Sequence, residues 1–555
     1  MGDMPPSASG RDEPVKENAF FAWILLAIVW LATIGVHSLF DPDEGRYAEI
    51  PREMWLSGDW ITPTLNGLPY FEKPPLQYWA TATMYSLVGP SEATSRIWSF
   101  VLAFACLPLM FWLARGLGCT RPVAWRAVFL LAVSPFFIIV GHINLLDQGF
   151  TFFLLVALAS FLIAQQADLS RRTRCLIVSW VALAAAVLSK GIVALVLTGG
   201  TLVLYSLVHR DAEFLKRIWQ PLGAALFLVI VLPWHLLVES RNSGFAQFFF
   251  VHEHFARFLT TVHRRDGPVW YFVPIVLLAA LPALGLWRSG IRRAWQDHAA
   301  STEFPALRFL VLWCVWVFAF FSVSHSKLPP YVLPLLPPLM LLFARVIEDD
   351  RRASGRVLVI QTLLVSVGVV AMLVFDRRRD GIADLPVYLA CGVAIIGLAI
   401  AWGVRWRQRS CAQHASWWPV VLCALVGWQA LLVAYAVLPP ERSSRDLVQG
   451  VQTHIRPATR LFSVHQYRHS LSFYLGRNVT LVAYRGELDE GLRRAVDRNP
   501  GAYIDDLKAF VAVWRNESDA MAFIDPDCID ELRALGFEGR SVPTGDTRSI
   551  VMVRH

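Results

Sequence analysis

Between positions 41 and 79 the chain sets carboxylates, cations and phenols at spacings that suit chemistry on a phosphate. Asp43, Arg46 and Tyr47 fall at i, i+3 and i+4, so a helix here shows a carboxylate, a guanidinium and a phenol on one face. Tyr70-Phe71-Glu72-Lys73-Pro74-Pro75 adds an acid and a base in a segment that its prolines hold extended. A guanidinium grips phosphate oxygens bidentately, and an ammonium attracts them as a point charge. Asp43 and Glu72 are therefore the candidate catalytic carboxylates, and Arg46, Tyr47, Tyr70 and Lys73 the candidate lipid-phosphate binders. The plainer alternative for the first triad is a capped surface helix with a local Asp–Arg pair.

The elements that position these residues can be read around them. Asp41 and Pro42 read as N-cap and first helical residue, with Asp43 and Glu44 in a first turn that favours negative charge. The helix is expected to reach Leu56, kinked at Pro51 and ended by Ser57-Gly58. Just before it, residues 20–40 carry no formal charge and form a run of ~30 Å as helix, the thickness of a bilayer's hydrocarbon core. Tyr70, Phe71, Tyr78 and Trp79 are residues that anchor at headgroup level. The polar cluster thus sits at the lipid–water boundary, where ligands carry a lipid tail and a polar or phosphorylated head.

Composition agrees. Of the 555 residues 55% are hydrophobic and only 17% charged, against about 25% charged in soluble domains. The formal net charge of +8 is spread as short arginine clusters between apolar runs, which is a topology signal and excludes a nucleic-acid-binding arm. We count about thirteen spans, near residues 20–40, 91–114, 127–140, 149–167, 175–189, 191–208, 221–239, 270–287, 308–322, 331–347, 357–375, 387–404 and 417–438. Alternate loops are basic, among them Arg115/Arg121/Arg126, Arg171/Arg172/Arg174 and Arg405/Arg407/Arg409, and the positive-inside rule places them in the cytoplasm. Loops 41–90 and 240–269 and the C-terminal part then face the other side. Arg377–Arg379 dissents from this alternation.

The polar residues 1–19 read as a disordered cytoplasmic tail, and the apolar run after them is too long for a signal-peptide core. Residues 20–440 form the transmembrane domain, and 441–555 a soluble α/β domain on the far side. Its candidate strands are Leu461–His465, Val479–Tyr484, Phe510–Trp514 and Ile550–Val553. It shows no nucleophile motif, metal spacing or phosphate loop and reads as a cap that shapes access to the membrane site. The eight cysteines supply neither a disulfide framework nor a zinc motif.

Further candidates lie elsewhere on the same side. His254 and Arg257 are three apart, and His254 with Asp43 and Glu72 offers a donor set for a divalent metal ion; the alternative is a histidine satisfied by a neighbouring carboxylate. Lys190, Lys327 and Tyr331 sit at the external ends of apolar runs, either snorkelling or, like Arg257, contacting phosphate. His142, Asn144 and Asp147 read as a short solvated loop.

The string D-P-D-E-x-R-Y-A-E, then G-D-W-x-T-P-x-L-N-G-x-P-Y-F-E-K-P-P-L-x-Y-W, resembles the first periplasmic loop of bacterial GT-C glycosyltransferases related to the protein mannosyltransferases. Within them it is most similar to the ArnT-type 4-amino-4-deoxy-L-arabinose (aminoarabinose) lipid A transferases. His252-Glu-His-Phe-Ala-Arg257-Phe, Leu188-Ser-Lys190-Gly and Ser326-Lys327-Leu-Pro-Pro-Tyr331 resemble further family segments. The resemblance implies a polytopic α-helical membrane enzyme of the bacterial inner membrane, with site and C-terminal domain periplasmic, monomeric, and requiring no cofactor beyond that possible metal ion. Its donor would be an undecaprenyl phosphate-linked sugar and its acceptor lipid A, with polymyxin resistance as the outcome. Inverting transfer would expel polyprenyl phosphate, with Asp43 orienting an ionised phosphate acceptor or deprotonating a hydroxyl. A sugar transferase acting on protein or another lipid keeps the fold and changes the acceptor. A polyprenyl-sugar transporter would need polar residues spread through the spans and internal repeats, and neither is visible.

Overall fold

The computed structural model describes residues 16–211, 213–256, 267–283, 286–296, 304–347, 353–377, 385–409, 418–437, 442–495 and 501–554. The tail before residue 16, Arg257, Arg378 and Arg379 lie outside them, as does the side chain of His254. The described chain packs as two compact units. Among the described residues, one joins 16–33 with the segments between 353 and 437, and the other joins the segments between 34 and 347 with those between 442 and 554.

All thirteen expected runs contain helix, but among the described residues eight helices have the length and hydropathy to cross a membrane. A ninth is the pair Arg121–Ala132 and Pro135–Gly141, bent by 63°. Ser134 ends the first helix and caps the second through Phe137 N, and Pro135 at its start has no N–H to give up. The runs at 20–40, 191–208, 270–287 and 417–438 hold shorter apolar helices. The first is a correction: helix Lys16–Leu31 stops nine residues before Phe40, and Thr33 beyond its end donates to Gln429 in the same unit.

In the larger unit helix Leu146–Ala164 is the most enveloped of the long apolar helices, with 83% of its apolar window buried, whereas Pro221–Arg241 has 22% and is left mostly uncovered by protein. Helix Asp43–Ser57 runs on through Pro51 and ends where Gly58 takes a left-handed φ of 71°. Its start differs from expectation. Asp41 makes no cap; its carboxylate instead accepts from Ser470 N and Oγ at 2.6 and 3.0 Å and faces Arg468 at 3.6 Å.

The C-terminal domain is a six-stranded mixed sheet in the order Tyr503–Ile504, Thr480–Val482, Arg460–Val464, Ala520–Ile524, Ile550–Arg554, Arg540–Val542. The first four strands are parallel and the last two antiparallel to their neighbours. Residues 510–514 are helix, not strand, within Leu507–Asn516: Asp506 caps it, and Leu507, Phe510, Val511 and Trp514 form one buried face at helical spacing. The strand in that region is Ala520–Ile524, buried at every position. This domain is clamped onto the first polar loop. Asn66 exchanges two 2.9 Å hydrogen bonds with the backbone of Val479, Arg52 donates to Gly476 O, and Tyr474 accepts from Leu39 N. Gly45 makes the approach possible, since a Cβ there would lie 2.4 Å from Ser470 N.

Candidate active site

Arg46 is the hub. It is 2% exposed, and three carboxylates surround it: Asp43 at 3.8 Å, Glu72 at 3.9 Å and Glu487 at 2.8 Å. Helix Asp43–Ser57 supplies the first, the proline-stiffened loop the second, and the C-terminal domain the third. The rings of Tyr47 and Tyr70 lie 5.8 and 5.7 Å from the guanidinium carbon. Burial alone would lower the pKa of Arg46, but Glu487, Tyr70 and Asp43 outweigh it, and the cation is held well above its ordinary range.

The guanidinium nevertheless keeps donors in reserve. Among the described residues Nε and Nη2 find no hydrogen-bond acceptor; Nη2 is close to Glu487 but off the bonding direction. The hydroxyls of Tyr70 and Tyr78, near enough to feel the charge of Arg46, are also buried without a partner among the described residues. Burial keeps both phenols protonated, their pKa values raised above the ordinary 10. Orphaned buried donors are costly, and several around one cation suit an oxyanion.

Lys73 stands beside this group. Its ammonium donates to the carbonyl of Glu72 at 2.8 Å and lies 3.7 Å from Glu253. Glu253 is 4% exposed and comes from the π-helix Gln247–Ala256, so the loop expected at 240–269 does reach the site, through a residue the sequence reading did not single out. The expected metal set includes His254, whose side chain lies outside the described residues; among the described residues no three His, Cys, Asp or Glu side chains group to hold an ion. Asp43 and Glu72 both turn toward Arg46, and a divalent ion between them would meet its fixed positive charge.

A second cluster lies at the membrane ends of three helices. Lys190, the last residue of helix Leu169–Lys190, bonds to Asp147 and stands 4.3 Å over the ring of Tyr331. Lys190 therefore does not snorkel. His142, Asn144 and Asp147, expected to be solvated, are 1%, 0% and 8% exposed because the bend at Ser134 folds that segment into the protein. Asp147 is among the groups that, after burial and Asp43, raise the pKa of Tyr47, so the two clusters share one electrostatic environment. Lys327 is buried, and its ammonium donates to Ser324 O.

Glu44 and Arg96 form the scaffold under the site. Arg96 grips Glu44 at 2.8 and 2.9 Å, and Glu44 also accepts from Asn144 N and Phe40 N. Burial pushes the Glu44 pKa up, but Arg96 pulls it further down, so the carboxylate is ionised. A lone arginine in the apolar run 91–114 was the available signal, since a cation there needs a partner. Glu487 offered no signal at all.

Comparison with known proteins agrees with this architecture. Residues 18–249 match the family described as dolichyl-phosphate-mannose-protein mannosyltransferase, and residues 447–554 match the aminoarabinose transferase C-terminal domain. The chain is 31% identical over 524 residues to the undecaprenyl phosphate-alpha-4-amino-4-deoxy-L-arabinose arabinosyl transferase of Pseudomonas paraeruginosa, covering 90% of this chain and 91% of that protein. It is 30% identical to the protein of the same name from Pectobacterium carotovorum, covering 94% and 95%. It is also similar to the crystal structure of ArnT from Cupriavidus metallidurans bound to undecaprenyl phosphate, with a TM-score of 0.83, 29% identity, and 97% and 98% of the two chains covered.

Proposed function

The chain belongs to the family of undecaprenyl phosphate-alpha-4-amino-4-deoxy-L-arabinose arabinosyl transferases, and from that premise we propose that it transfers 4-amino-4-deoxy-L-arabinose from undecaprenyl phosphate to a phosphate of lipid A. It is a multi-pass membrane glycosyltransferase with a lipid-linked donor. In our reading the acceptor meets the donor on the periplasmic face of the inner membrane, and the enzyme works as a monomer.

The observation that carries this reading is the set of orphaned donors on Arg46, Tyr70 and Tyr78, with Lys73 beside them. An oxygen of the acceptor phosphate attacks the anomeric carbon, the carbon–oxygen bond to the donor phosphate breaks, and the electron pair leaves with undecaprenyl phosphate. The leaving phosphate gains a negative charge as the bond breaks, and donors fixed around it stabilise that charge more than they stabilise the bound donor. An ionised lipid A phosphate needs no strong base. Asp43, about one-third exposed, is then placed to orient the acceptor or the ammonium of the sugar, while Glu72 holds Arg46 from the other side. Lys190 over Tyr331 provides a second cation for the phosphate-bearing lipids. Capping a lipid A phosphate with an amino sugar offsets its negative charge with an ammonium, which weakens binding of cationic antibiotics such as polymyxin.

The test is Asp43→Asn, expressed in cells that lack their own copy of the gene. Mass spectrometry of lipid A should find the aminoarabinose adduct with the wild-type gene and not with the mutant, at equal protein level. Modification at the wild-type level by the mutant would remove Asp43 from the chemistry.

A further inference from the structure

The C-terminal domain does more than cover the site, because it puts a carboxylate on the residue that the lipid phosphate needs. Glu487, in the turn Gly486–Leu488, reaches Arg46 at 2.8 Å, closer than either carboxylate of the first loop. Behind it His469, at the start of helix His469–Leu475, bonds to the same carboxylate. Both are brought in by the contact of Gly45 with the backbone of His469 and Ser470, one residue before Arg46.

We propose that Glu487, backed by His469, is a positioning residue that shares Arg46 with the lipid phosphate and so governs release of undecaprenyl phosphate. The proposal rests on the reading that Arg46 meets that phosphate. One guanidinium faces three carboxylates, so its field alone does not make the pocket a trap for a dianion. Glu487 orients the guanidinium by charge while leaving Nε and Nη2 without an aligned acceptor, and these remain available to an incoming oxyanion. The product phosphate carries more charge than the donor phosphodiester. A fixed carboxylate beside it therefore opposes the product more than the substrate, which favours turnover where release is slow.

The experiment uses the full-length protein in nanodiscs of phosphatidylethanolamine and phosphatidylglycerol, with undecaprenyl phosphate-linked aminoarabinose as donor and lipid A as acceptor. Turnover, the inhibition constant of undecaprenyl phosphate and the melting temperature are measured for Glu487→Gln, Glu487→Asp and Arg46→Gln. Glu487→Gln should tighten inhibition by undecaprenyl phosphate about threefold and lower kcat by about the same factor, with the melting temperature unmoved. Glu487→Asp should bring both values back toward wild type. An inhibition constant that Glu487→Gln leaves unchanged or raises overturns the proposal, whatever happens to turnover, since a merely structural residue would loosen binding and stability together. Arg46→Gln should raise that constant. If it does not, the phosphate reading itself fails; if it does while Glu487→Gln has no effect, only the present inference fails.

Discussion

Glu53 shows how far one side chain can be pushed in this loop. It is buried beside Glu49, accepts from Gly67 N at 3.1 Å, and its pKa is pushed up to about 8, first by burial and then by the Glu49 charge. A carboxyl raised from its ordinary 4.5 costs the folded state nothing below pH 4.5, where both states are protonated. The cost appears as pH rises through the window to 8 and is complete above it. Glu53→Gln should therefore raise the melting temperature at pH 8.5, by a stabilisation on the order of 1 kcal/mol or more, and leave it nearly unchanged at pH 4.5. Equal effects at both values would show that the carboxyl is not held protonated. Residues of this kind separate what can be read in a sequence from what cannot. Asp43, Arg46, Tyr70, Glu72 and Lys73 were legible because local spacing and two prolines put them together. Glu253 and Glu487 were not, since they come to the site from about 180 and 440 residues away in sequence and no spacing rule spans such distances.

Among elements, helix Asp43–Ser57 carries the greatest demands, since its first turn must serve the site while its other side is fixed to the bundle. The fixing pair is Glu44–Arg96, with Glu44 1% and Arg96 0% exposed. Removing one partner strands a buried charge, so Arg96→Met should destabilise the protein by about 3–5 kcal/mol, seen as a large fall in melting temperature. Glu44→Gln combined with Arg96→Met should recover part of that loss, because no lone charge remains. A double mutant no better than the single would mean that the hydrogen bonds of Glu44 to Asn144 and Phe40 matter more than the charge. Elements were legible where periodicity was strong and less so where burial was two-sided. Ala520–Ile524 has no alternation because both faces are covered, and in the amphipathic 507–516 the short apolar run 510–514 hides a helical period. Asp41 has the sequence context of a cap, but its partner, Ser470, belongs to another domain and no local pattern announces it.

At the scale of the molecule, the clamp between the first polar loop and the C-terminal domain requires both to lie on the same side of the membrane. In a cysteine-free background, single cysteines at the exposed positions Ser57 and Ser541 should react with a membrane-impermeant maleimide added outside spheroplasts. One at Ser170, exposed beside the arginine cluster 171–174, should not. The opposite pattern would reverse the orientation and remove lipid A as acceptor. The division into two compact units was not legible in a hydropathy profile, which orders spans along the chain but does not say which of them pack together.

The pairing of Thr33 with Gln429, 396 positions apart, sets a schedule for synthesis. At ~5–20 residues per second the ribosome needs roughly 20–80 s to make that interval, and the first helix waits in the bilayer for its packing partners throughout. The catalytic loop waits longer, because Glu487 and Ser470 are translated later still. A nascent chain released early would therefore carry the recognisable catalytic motif without a finished site, and activity should arrive with the last fifth of the polypeptide and not in proportion to its length.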